Sequence, residues 1–217
     1  MRSPLALLAL LAAALTVSCA GLSQASAPPF VLGEPKVLRF ETTRAENVSL
    51  VINTWERTYA VPGASASEVG TNLAALRRAG TGHGPYSAST KWDLKLGLRY
   101  GDEPGGCRIA NATVELVAVI TLPALAEAAA LETGELARWE LFSANLKAHE
   151  LEHLDNQVAG ASRLQAALQA LPQMETCRAI GDAANALAEA EERAINYADA
   201  ALDAKTEHGA LTGATFP

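Results

Sequence analysis

Between Thr133 and Ala204 the chain carries a single proline, Pro172, and this stretch constrains the fold more than any other. Proline has no backbone N–H and its ring collides with the preceding turn, so a helix cannot run through it. Thr133 can cap a helix from about Gly134 to Leu171, with Leu136, Trp139, Leu146, Leu154 and Leu164 among its apolar positions. Pro172 ends that helix, and a second runs from about Glu175 to Ala204, with Gly181 as its one potential breaker. So short a connection makes the two an antiparallel pair.

Upstream the texture is that of strands. Val37-Leu38-Arg39-Phe40-Glu41 partly alternates apolar with polar, and Thr58-Tyr59-Ala60-Val61 runs into a Pro62-Gly63 turn. A short helix should follow, capped by Ser67, with Val69, Leu73 and Leu76 as its stripe and Gly80 as its stop. Lys91 to Tyr100 alternates as a half-buried strand, Gly101 to Gly106 reads as a turn, and Cys107 to Leu122 as one or two strands. The chain is therefore expected to be α+β, a small N-terminal β-rich part packed on a long C-terminal antiparallel helix pair.

Arg2 followed by the apolar run Leu5 to Val17 has the form of an export signal, too short to span a membrane comfortably. Two cleavage readings stand. Thr16-Val17-Ser18-Cys19 resembles a lipobox, which would leave Cys19 lipidated, with residues 1–19 removed or anchored. The alternative is ordinary signal peptidase acting at Ser18-Cys19-Ala20 or Ala25-Ser26-Ala27. Residues 20–35 read as a linker and 36–217 as a single domain. In the oxidising compartment an export signal implies, Cys107 and Cys177 form an even pair and are expected to be bridged. A net charge of −7 with no basic stripe excludes nucleic acid as a partner. Arg77-Arg78 is the only basic pair, and such a pair is ordinarily solvated surface.

Inside the first long helix stands His149-Glu150-Leu151-Glu152-His153. Four residues turn a helix by about 400°, so both imidazoles leave one face, one turn apart, where a single Zn²⁺ can take both. Glu150 then stands beside the metal, placed to take a proton from water rather than to ligate. Zinc in a hydrolytic site takes three protein ligands. The metzincin continuation fails, with Asn156 and Ala159 where its glycine and third histidine belong. Counting back from Pro172 puts residues a little past 190 level with His153. Glu189 and Glu192 are thereby candidates, although a solvated acidic face is the commoner meaning of such a run. His83 reads as a loop residue.

Several features shared in order and spacing give a resemblance: Tyr59-x-Val61-x-Gly63, Gly84-Pro85, Thr90-Lys91-Trp92, two cysteines, HExxH, and Asp203-x-x-Thr206-x-His208-Gly209. Across roughly residues 57 to 217 the chain resembles a bacterial family of predicted secreted zinc-dependent proteases, whose activity is itself largely inferred from the motif. The resemblance implies a zinc site held by His149, His153 and a third ligand, His208 or alternatively Asp203. Each has another reading: His208 as a cation at a helix C-terminus, and Asp203 as an acceptor behind a ligand imidazole.

The expected function is a zinc-dependent hydrolase of the bacterial cell envelope, a peptidase acting on protein or peptide, with Glu150 as general base. Tyr197, Tyr86 or Tyr59 could supply the oxyanion donor. A membrane partner follows if Cys19 is acylated. Two other readings remain: a non-catalytic envelope binding module whose structural metal is closed by His208 and Asp203 together, and a solvated helix face with no metal at all.

Overall fold

The structure, a computed structural model, describes residues 30–78, 86–126 and 131–216. Cys19, the export segment, Gly80, His83 and Gly84-Pro85 lie outside the described residues. Four strands, β1 (Lys36–Ala45), β2 (Val48–Val61), β3 (Ser89–Glu103) and β4 (Gly106–Leu125), form one sheet in the order β1-β2-β4-β3. The two central strands run parallel, in register from Val48 opposite Ala112 to Val61 opposite Leu125, with antiparallel strands on either side. Strand periodicity of two puts Val48, Leu50 and Ile52 of β2 on the same buried face as Val114, Leu116 and Ala118 of β4. Cys107 to Leu122 belongs to one long strand, and Gly101 to Glu103 extends β3 where a turn was expected. Phe30 packs on Tyr59 and Gly33 N–H donates to Thr58 O at 2.7 Å, so the last part of the linker already lies along β2.

Helix α1 (Ala66–Arg78) buries Val69, Leu73 and Leu76 as expected, but its cap is Ser65 rather than Ser67. Ser65 Oγ accepts from Glu68 N–H while the Glu68 carboxylate accepts from Ala64 N–H, so the helix is capped two residues upstream of Ser67. Helix α2 (Thr133–Gln169) starts after Glu132, one residue before the expected cap. There the Glu135 carboxylate accepts from both Glu132 N–H and Ala66 N–H, tying the starts of α1 and α2 together. Helix α3 (Cys177–Thr206) is capped by Thr176, whose hydroxyl accepts from Ala179 N–H. Gly181 does not break it; a side chain there would strike the Tyr100 hydroxyl at 2.6 Å, so glycine admits β3 close to the helix.

The architecture is thus α+β, with the sheet followed by two long antiparallel helices on its buried face. The link between α2 and α3 is itself extended: Cys107 N–H donates to Met174 O at 2.7 Å and Met174 N–H returns to Cys107 O at 2.9 Å. Beside this pair Cys107 and Cys177 are joined by a disulfide, 70 residues apart in sequence. Closing a loop of that length restricts the unfolded chain, so Cys107→Ala/Cys177→Ala should lower the unfolding free energy by ~2–4 kcal/mol. A reduced urea midpoint checks this; an unchanged one would leave the Cys107–Met174 backbone pair as the sole staple.

Candidate metal centre

Helix α2 is amphipathic in an unusual way at its middle. His149, Glu150, His153 and Gln157 face inward with Leu146 and Leu154, and the first three are only 3%, 5% and 8% exposed. Polar groups withdrawn this far need partners. Most come from α3, which crosses α2 closely where Gly160 meets Ile195: a Cβ on Gly160 would lie 2.4 Å from that side chain.

Asp203 Oδ1 lies 3.1 Å from His149 Nε2 and 3.1 Å from His153 Nε2, and the two nitrogens are 3.3 Å apart. Four donors arranged tetrahedrally at ~2.0–2.1 Å from zinc stand about 3.3–3.4 Å from one another, so these three atoms approximate one face of such a tetrahedron. What lies behind each imidazole settles which nitrogen is bare. His153 Nδ1 is 3.1 Å from Asp199 Oδ1, an acceptor, so Nδ1 carries the proton and Nε2 a lone pair. Thr206 gives its hydroxyl proton to Leu202 O at 2.8 Å, leaving a lone pair towards His149 Nδ1 at 3.5 Å. With both rings neutral and protonated at Nδ1, two bare nitrogens and an anionic oxygen face one another, an arrangement that suits a cation.

Asp199 is held in its turn. Asn156 Nδ2 donates to its Oδ1 at 3.0 Å and Gln157 Nε2 to its Oδ2 at 3.4 Å. Burial lowers the pKa of His149, with the charge of His153 adding to the effect against the pull of Asp203. Burial works the same way on His153, but its hydrogen bond to Asp199 and the charges of Asp199, Asp203 and Glu150 outweigh it and raise the pKa. Glu150 is pushed up by burial, opposed by the Thr90 hydroxyl, which donates to its Oε2 at 2.8 Å. Thr90 opens β3, so the sheet positions the carboxylate that α2 supplies.

The end of α3 is shaped by the same cluster. Glu207 and His208 both adopt left-handed backbone, at φ 50° and 53°, followed by Gly209 at 84°. Consecutive non-glycine residues there are strained. Gly209 is required twice over, because a Cβ would also press on Ala214 at 3.0 Å and the His149 ring at 3.2 Å. The turn carries His208 over the cluster: its Nδ1 is 3.2 Å from Asp203 Oδ1, its ring stacks on Tyr86, and its Nε2 is 2.9 Å from the Tyr86 hydroxyl.

Among the described residues His149, His153 and Asp203 form a group that could hold a metal ion; His208 is not part of it, although its Nδ1 meets the same Asp203 Oδ1. Asp102, Cys107 and Cys177 also converge, but the disulfide leaves no thiolate to ligate. Glu189 and Glu192 are not at the cluster; Glu189 pairs with Arg193 at 3.7 Å and Glu192 lies along β3. The hairpin count failed because α3 begins at Cys177, beyond the end of α2, and Asp199 rather than a residue near 191 comes level with His153. Tyr59 is buried against Ser87 O, its phenol pushed up by burial, and Tyr197 is 78% exposed; Tyr86 alone of the three lines the cleft. Asp199, Thr90 and Thr206 escaped the sequence reading as partners of the cluster. Asp199 had a signal: it precedes Asp203 by four residues, the spacing that pairs the two histidines.

A cleft of about 570 Å³ opens on the cluster, lined by Tyr86, Thr90, Glu150 and His208 and by apolar residues including Leu73 and Phe142. Residues 56–209 match the model of a family described as "Bacterial protein of unknown function (DUF922)". No curated protein and no solved structure matches the chain.

The donor set of two imidazoles and a carboxylate suits zinc. Elemental analysis after zinc loading should find one ion per chain, lost in His149→Ala, His153→Ala and Asp203→Ala and retained in His208→Ala. Calorimetric titration at pH 5.5 should show weaker binding than at pH 7.5, since both imidazoles must be unprotonated to donate. Loss of the ion in His208→Ala with retention in Asp203→Ala would reverse the assignment.

Proposed function

The chain belongs to this bacterial family of unknown function, and from that footing we propose that it is a zinc-dependent hydrolase of the cell envelope, a peptidase, with Glu150 as general base. The observation that carries the reading is the convergence of His149, His153 and Asp203 at an open cleft, with the buried Glu150 carboxylate one residue from the first ligand. A structural metal would want a fourth protein ligand closing the sphere, and the open side favours catalysis.

Bound zinc would supply Lewis acidity, polarising the scissile carbonyl and making water acidic near neutral pH. Glu150 takes a proton from the attacking water, whose oxygen bonds to the carbonyl carbon. As the C–N bond breaks, Glu150 passes that proton to the leaving nitrogen, giving a carboxylate and an amine. Thr90 holds Glu150 through its Oε2, so the carboxylate is oriented before substrate arrives. Asp199 and Thr206 keep both ligand imidazoles protonated at Nδ1. Tyr86, seated against His208 at the cleft wall, donates to the developing oxyanion. The Cys107–Cys177 disulfide supports an oxidising compartment, in keeping with export and with an anchor at Cys19.

The test is a mixed peptide library incubated with zinc-loaded protein and analysed by mass spectrometry. Wild type should generate new termini, and Glu150→Gln should keep its zinc while losing at least about a hundredfold in rate. Equal cleavage by the variant would exclude Glu150 as the base, and no cleavage by loaded wild type would end the peptidase reading.

A further inference from the structure

Arg77 and Arg78 close α1, and a basic pair in a last turn is favoured by the helix dipole. Their environments differ. Arg78 is exposed, whereas Arg77 is half-buried and lines the cleft that holds His149 and Glu150. Three described basic side chains are substantially covered: Arg57, Arg77 and Lys147. Arg57 Nε donates to Thr121 Oγ1 at 3.2 Å, and Lys147 pairs with Glu56 at 2.6 Å. Arg77 has neither a hydrogen bond nor an ion pair among the described residues.

A guanidinium carries five N–H donors and a charge it does not lose. With no side chain of the described residues taking them, those donors stand at an open cleft and are available to a ligand. The helix dipole does not explain why Arg77 lines the cleft, since the exposed Arg78 serves it as well. Position adds to the argument. Arg77 is the one arginine or lysine among the described residues lining the cleft, together with the carboxylates of Glu150, Asp199, Asp203 and Glu207. A negatively charged peptide group in the cleft would be attracted at Arg77 and by a bound metal ion, and repelled by the carboxylates that hold no metal. Leu73, one turn earlier on α1, adds apolar surface next to it.

The structure assigns Arg77 as the carboxylate-binding residue of this cleft, for peptides that present either a free C-terminal carboxylate or an acidic side chain. A planar fork meeting a carboxylate in two parallel hydrogen bonds is the arrangement this residue type forms best. That the ligand is a substrate rests on the hydrolase reading; that it is an anionic peptide group does not.

The experiment is an NMR titration of zinc-loaded and of chelator-treated Glu150→Gln protein with three probes. These are N-acetyl-trialanine with a free carboxylate, its C-terminal amide, and the amide of N-acetyl-Ala-Asp-Ala. At least one carboxylate probe should bind about tenfold more tightly than the neutral amide, as charge-assisted hydrogen bonds give, and should shift the Arg77 Nε–Hε resonance. Arg77→Gln should abolish the preference while leaving binding of the neutral amide unchanged, and Arg77→Lys should restore part of it. Which carboxylate probe wins distinguishes the C-terminal group from the side chain. The assignment is overturned if all three probes bind alike, if the preference survives Arg77→Gln, or if none binds. Carboxylate binding by a protein that cleaves no peptide would sink the hydrolase reading alone.

Discussion

The register of α3 along α2 is the constraint on which the rest of the molecule depends. It is fixed at two places: near the middle, where Gly160 lets Ile195 approach the backbone of α2, and at the link, where Cys107 of β4 pairs with Met174 and bonds to Cys177. Between them these contacts stop α3 from sliding by a turn, which would move its residues by about 5.4 Å. With that register, Asp199 falls opposite His153, and Asp203 falls between His149 and His153. Because Asp199 and Asp203 are themselves one turn apart, a slip of one turn would put one of them in the other's place and bring Ile195 or Glu207 into the position vacated.

The cluster is electrostatically incomplete in itself. Three electron-pair donors meet within 3.3 Å because the groups behind them, Asp199 and Thr206, claim the imidazole protons. Buried polar networks are costly when partly satisfied, and a cation would complete this one. The surrounding strain follows the same logic. Glu207, His208 and Gly209 turn back in left-handed conformation so that the chain passes over His149, and only glycine fits at the closest point. Arg77, with neither a hydrogen bond nor an ion pair among the described residues, lines the same cleft and extends this pattern from the candidate ligands to the proposed recognition of a carboxylate.

How much could be read in advance varied with the range of the interaction. The helix pair, the α1 stripe of Val69, Leu73 and Leu76, and the pairing of His149 with His153 depend on spacing within one element, where periodicity is a direct guide. Whether Asp203 or His208 lies close to both histidines depended on where the end of α3 points, and the left-handed residues at 207–209 turn His208 onto Tyr86. Thr90 is 60 residues from Glu150 and belongs to a strand, so nothing in its local sequence marked it as a partner. Arg77 looked like half of a solvated pair because exposure is set by what packs beside a helix, not by its neighbours in the chain.

By itself, the sequence determined that two long helices must be antiparallel and that two histidines and a glutamate share one helical turn, because proline placement and helical periodicity are local rules. Only the tertiary structure decided which carboxylate joins the histidines, which hydroxyl orients Glu150, and which arginine faces the cleft. Each of those is a contact across elements, set by the helix register and by the sheet on which the helices rest.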